Sequence, residues 1–181
     1  MNSPKKKNTK ILFMLAAVFL IPVIAAKLVL NMNWYQGAAT NKGELLPENL
    51  SYQNLLMENP NPEKWQLVYL LPTQCEQNCK QQLYLLHQTY LALGREQDRV
   101  IPLIATQPNS DLTALADYQF ETAKASKALQ QELQQQQIII VDPIGKLVTR
   151  YPMQSDQQQL LLQGKAMMND LRKMLKLSRV G

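Results

Sequence analysis

Residues 11–30, ILFMLAAVFLIPVIAAKLVL, form an apolar run of twenty residues with one charge, Lys27. As a helix rising 1.5 Å per residue, the run covers about 30 Å, the hydrocarbon thickness of a bilayer. It is therefore expected to be a transmembrane anchor. Lys27 lies near one end, where its stem snorkels to the headgroups. Pro22 kinks such a helix without forbidding it. Trp34 and Tyr35 follow, as amphipathic rings do at a membrane interface. Lys5, Lys6, Lys7 and Lys10 precede the run and no acid occurs before Glu44. The positive end stays inside, so residues 1–10 read as a cytoplasmic tail and everything after residue 30 faces outward. A cleaved signal peptide is the competing reading. It fits the basic start, but the apolar run is long and Val23-Ile24-Ala25-Ala26 is a poor cleavage site. In a bacterium the chain is then a single-pass protein of the inner membrane with its C-terminal domain in the periplasm.

The formal charge of +5 over 181 residues belongs to that first segment. From residue 31 onward, 14 basic residues balance 14 acidic ones, which excludes a nucleic-acid surface. Two cysteines and one histidine exclude a disulfide-stapled mini-protein, a four-cysteine zinc site and a three-histidine centre. No phosphate-cradling glycine loop or Ser/His/Asp ordering is present.

Residues 31–63, rich in Asn, Gly, Glu and Pro, read as a tether that becomes an arm packed on a domain spanning residues 64–181. Trp65–Leu71 is an apolar run of strand length. Thr73 with Glu76 three residues on has the form of a capping box, so a helix is expected to follow. Cys79, Leu83, Leu86, Tyr90 and Leu93 give that helix one apolar face, and Gly94 ends it. Val100–Ala105 is a second strand candidate, with Pro102 limiting its ladder. Residues 111–133 are helical in composition. Ile138–Val141 is a buried strand, Asp142-Pro143-Ile144-Gly145 a turn, and Lys146–Tyr151 the returning strand of a hairpin at the sheet's edge. Ser155–Leu177 makes a last helix with Arg172, Lys173, Lys176 and Arg179 toward its end. The glutamines at 134–137 and 157–159 read as solvated surface. This order fits an α/β, thioredoxin-like three-layer domain, with the Trp65 and Val100 strands as parallel neighbours.

Cys75 and Cys79 stand at the strand-to-helix junction. Residues i and i+4 of a regular helix have Cβ atoms about 5–6 Å apart, slightly wide for a disulfide. Closing the bond requires the first turn to loosen. Two thiolates so placed also suit Cu(I), whereas zinc wants four donors. In an exported domain with no other cysteine, the pair reads as a functional dithiol rather than a static bridge. His87, eight residues beyond Cys79 on one helix, is displaced by about 12 Å and cannot share its metal. Met153 is a weaker candidate thioether ligand.

The anchor, Lys64-Trp65-Gln66-Leu67-Val68-Tyr69, Cys75-Glu76-Gln77-Asn78-Cys79, Leu83 and Ile140-Val141-Asp142-Pro143-Ile144-Gly145 together resemble the Sco/SenC family over about residues 64–152. Those are membrane-tethered thioredoxin-fold proteins that help assemble the binuclear copper centre of cytochrome c oxidase. The resemblance implies that Cys75 and Cys79 bind copper or exchange electrons with cysteines of the oxidase subunit carrying that centre. The chain departs from the family in two places. Lys80 stands where a proline usually follows the second cysteine. The family's histidine ligand would fall among Gln134–Gln137, and none is there. The chain therefore resembles a divergent member, suited to Cu(I) more than Cu(II). Three readings stay open: Cu(I) delivery, a thiol–disulfide oxidoreductase of the cell envelope, and a non-catalytic assembly factor whose cysteines form a structural bridge.

Overall fold

The computed structural model describes residues 9–31, 42–133, 136–154 and 156–178. The lysines at 5–7, Trp34, Tyr35, Ser155 and Arg179 lie outside the described residues. The chain divides into two compact units, Met1–Thr40 and Asn41–Gly181. In the first, the apolar run is one helix, α1 (Thr9–Asn31), which continues through Pro22. Its stretch Lys10–Leu28 is long and apolar enough to cross a membrane, and none of it is buried within the protein.

The second unit is built on a mixed sheet. Its strands are β1 (Glu44–Leu45), β2 (Trp65–Leu71), β3 (Val100–Thr106), β4 (Glu121–Lys124), β5 (Ile138–Val141) and β6 (Leu147–Tyr151). They lie in the order β1-β6-β5-β2-β3-β4. As expected, β2 and β3 are parallel neighbours, in register from Trp65 opposite Val100 to Leu71 opposite Thr106. The hairpin of β5 and β6 pairs antiparallel onto the other side of β2.

Every residue of β2 is buried because the strand is central and covered on both faces. Leu67, Tyr69 and Leu71 pack under α2 (Gln77–Leu91) and α4 (Gln157–Leu177), against Leu83, Leu86, Met167 and Leu171. Val68 and Leu70 face Leu129 of α3 (Lys127–Glu132) together with Leu46, Tyr52 and Leu55 of the preceding arm. Each such aliphatic side chain contributes about 1.5–3 kcal/mol by leaving water. The polar Gln66 is wholly buried among them and is satisfied. Its Oε1 accepts from the Tyr52 hydroxyl at 2.8 Å and its Nε2 donates to Asn59 Oδ1 at 2.7 Å, which ties the arm to the central strand.

Four expectations need correction. Residues 111–133 are not mostly helical: a short 3-10 turn (Leu112–Leu115) and β4 precede α3. β4, Glu-Thr-Ala-Lys, has no apolar run, and its order comes from pairing with Leu103–Thr106 at the sheet's margin. The hairpin is not the other margin, because β1 pairs Glu44 with Arg150 and Leu45 with Thr149. An Arg150–Glu44 ion pair of 2.6 Å fixes that register. Gln137 is buried rather than solvated, its Nε2 donating to the Glu132 carbonyl, whereas Gln157–Gln159 are exposed. Read from the sequence as part of a solvated, dipole-compensating basic face, Arg172 instead donates to the Ala92 carbonyl at 2.7 Å and so caps the end of α2.

Candidate redox site at the mouth of helix α2

The chain leaves β2 at Leu71 and does not enter α2 until Gln77. The N-cap position is Glu76, with extended backbone and no side-chain cap hydrogen bond, so Thr73 and Glu76 do not form the expected capping box. A competing set of bonds holds the lead-in away from the helix. Ser110 Oγ donates to the Leu71 carbonyl at 2.7 Å, and the Asp111 amide donates to the Pro72 carbonyl at 2.9 Å. In return the Cys75 amide donates to Asp111 Oδ2 at 3.3 Å. The loop after β3 thus clasps residues 71–75 and keeps them out of the helix.

This clasp resolves the spacing problem posed by the sequence. Cys75 stands on the lead-in and Cys79 in the first turn of α2, with Cα atoms 5.1 Å apart. That separation lies within the ordinary range for a bridge. The two cysteines are joined as a disulfide. Neither is widely open. Cys79 is 1% exposed and packs on Leu83 and Leu86, whereas Cys75 keeps 8% of its surface. Of the two, Cys75 is the less buried.

Asp111 is the residue that spacing did not reveal. The Thr113 hydroxyl donates to its Oδ1. That bond first, and the Cys75 amide second, hold its carboxyl below the usual carboxylate range, with Lys80 adding attraction from α2. The signal available was positional, because sites in open α/β sheets gather at the carboxyl ends of parallel strands. Asp111 lies in the loop that follows the carboxyl end of β3, five residues past Thr106.

His87 does not join the site. It is half-buried, with its ring edge-on to Tyr118 at 5.3 Å and Phe120 at 6.1 Å. Met153 is half-buried just past β6. Among the described residues, no group of three or more His, Cys, Asp and Glu side chains is placed to hold a metal ion.

Comparison with known proteins agrees with the thioredoxin-like fold. The model of the transmembrane-like, thioredoxin-like, C-terminal domain family matches residues 65–178. The chain belongs to that family. The match spans the thioredoxin-like domain from β2 to the end of α4. No curated protein is similar enough to match. Among solved structures, apo Sco1 from Thermus thermophilus is 18% identical with a TM-score of 0.50, covering 76% of this chain and 99% of its own. The thioredoxin domain of a thiol-disulfide oxidoreductase from Bacteroides vulgatus is 17% identical with a TM-score of 0.45, over 73% and 90%. ScoI from Bradyrhizobium japonicum, with copper bound, is 14% identical with a TM-score of 0.40, over 68% and 95%. At these identities the likeness is one of fold.

Proposed function

We propose that this thioredoxin-like protein is a membrane-anchored, Sco-like dithiol protein whose Cys75–Cys79 pair serves the assembly of cytochrome c oxidase. The observation that carries the reading is the disulfide at the carboxyl end of the central strand, joining a lead-in residue to the first turn of α2. The expected topology, with a cytoplasmic tail at residues 1–10, an inner-membrane helix and a periplasmic domain, belongs to the same proposal. So do the cysteines of the oxidase subunit carrying the binuclear copper centre as partners.

The exchange step needs no other cofactor. A partner thiolate attacks the Cys75 sulfur, the Cys75–Cys79 bond breaks, and Cys79 leaves as a thiolate that takes up a proton. A second partner thiolate attacks the mixed disulfide, releases Cys75, and leaves the partner oxidised by two electrons. Run backward, the same steps reoxidise the pair by reducing a partner disulfide.

Cu(I) as cargo is a second reading, favoured by the donor set. Once reduced, two thiolates at one helix mouth suit a soft monovalent ion, and no third His, Cys or carboxylate donor completes a harder site among the described residues. The purified chain in detergent separates the readings. Under reducing, anaerobic conditions, stoichiometric tight Cu(I) lost in Cys75→Ser supports delivery. No copper uptake but ready reduction by glutathione supports exchange alone. A bond that glutathione leaves intact, with no metal uptake, identifies a structural bridge and overturns the proposal.

A further inference from the structure

The clasp on Cys75 is made by a carboxylate, where an amide or hydroxyl would serve the geometry equally well. A carboxylate at this place has a chemical consequence. The first amides of α2 meet no side-chain acceptor from Glu76, so the positive end of the helix is open toward the dithiol. A Cys75 thiolate, formed when the bridge is reduced, gains from that end of the helix. Asp111 accepts the Cys75 amide at 3.3 Å, which sets a negative charge against the backbone of the same cysteine.

Resting on the exchange reading above, we infer that Asp111 is a positioning residue that sets the redox balance of the pair, its carboxylate disfavouring the Cys75 thiolate and thereby favouring the disulfide. Asp111 stays charged at neutral pH, because the Thr113 hydroxyl and the Cys75 amide both favour its ionised form. The other charges at this place are Glu76, next to Cys75 in the chain, and Lys80 in the first turns of α2. Lys80 attracts Asp111 and only partly offsets its effect. The reaction affected is the two-electron reduction written above, with glutathione or another thiol as the donor. Asp111 takes no proton in it. Its charge raises the free energy of the reduced, thiolate-bearing form relative to the oxidised one.

Asp111→Asn removes the charge and keeps a carbonyl acceptor for the Cys75 amide. In the full chain in detergent, equilibrated with glutathione redox buffers at alkaline pH where cysteine thiols ionise, Asp111→Asn is expected to shift the equilibrium toward the dithiol by about three- to tenfold. The pH dependence of Cys75 alkylation in the reduced protein, read by peptide mapping, should move to lower pH by about half a unit to one unit. Asp111→Glu should return both toward the original. Coincident wild-type and Asp111→Asn curves, with the bridge reducible in both, overturn this inference alone. A change in Asp111→Ala that Asp111→Asn does not share also overturns it, since the role is then only to hold the loop. A bridge that glutathione and dithiothreitol leave intact in every variant overturns the exchange reading, and this inference with it.

Discussion

Two aspartates hold distant segments by their backbone amides, and their surroundings separate their roles. Asp111 is partly exposed and accepts from Cys75 on the lead-in to α2. Asp170, on α4, is wholly buried. It accepts from the amides of Lys42 at 2.6 Å and Gly43 at 3.0 Å and from the Tyr151 hydroxyl at 2.8 Å. A buried carboxyl with three donors must keep all of them, since each orphaned group carries its full desolvation cost. A partly exposed carboxylate can lose a bond to water cheaply, and under the inference above its charge acts on the cysteine whose amide it holds. The first arrangement builds the fold. The second is free to adjust chemistry.

That contrast is easiest to break at Asp170. Asp170→Ala takes the acceptor from the part-buried amides of Lys42 and Gly43 and from the buried Tyr151 hydroxyl, and should lower unfolding stability by about 3–5 kcal/mol in urea titrations. A loss below 1 kcal/mol would mean that water replaces the carboxyl and that the two aspartates do not differ in kind.

Alkali probes the Tyr151 side of the same cluster. Burial first, and Asp170 second, push the Tyr151 hydroxyl upward, and burial alone does so at Tyr52 and Tyr69. For an acid whose folded value is raised, the stabilisation is complete below the unfolded value of about 10 and is lost as pH rises toward the folded value. Each of the three should cost about 1.4 kcal/mol per pH unit above 10. Thermal melts at pH 8 and 11, with tyrosinate absorbance followed in parallel, check it. Tyrosinate appearing at all three sites in the still-folded protein would refute it.

Gly43 sharpens the comparison from the arm's side. A Cβ there would stand 2.6 Å from the Tyr151 ring, besides meeting the Thr149 methyl. Gly43→Ala should therefore cost about 1–3 kcal/mol through overpacking. Amide exchange should quicken at Lys42 and residue 43 and stay unchanged at Cys75. Asp111→Ala is the smallest effect, with a melting temperature close to the parent's despite its altered thiol equilibrium. What stability Asp111 does add is present above the ordinary carboxyl value and fades as pH falls through its depressed one. A large drop in melting temperature would make Asp111 a second Asp170.

The core was legible in the sequence wherever hydrophobic pattern alone decides structure. β5 is apolar throughout and β2 is so but for Gln66, and the buried stripe of α2 follows helical spacing. The margins were not legible, because β1 and β4 are short, exposed strands ordered by partners far along the chain. The Cys75–Cys79 pair was visible as a motif, yet its geometry depended on a loop 36 residues away whose bonds leave no periodic trace. Asp170 did leave one. It shares the buried face of α4 with Gln163, Met167 and Leu171, and an acid on an apolar stripe signals a partnered carboxyl.

Cys75 precedes the first residue of α2 instead of belonging to it. Opening the bridge would therefore break no rung of the helical ladder, and the helix need not melt or rewind for it to open. The oxidised and reduced forms should then differ chiefly in a few side-chain torsions.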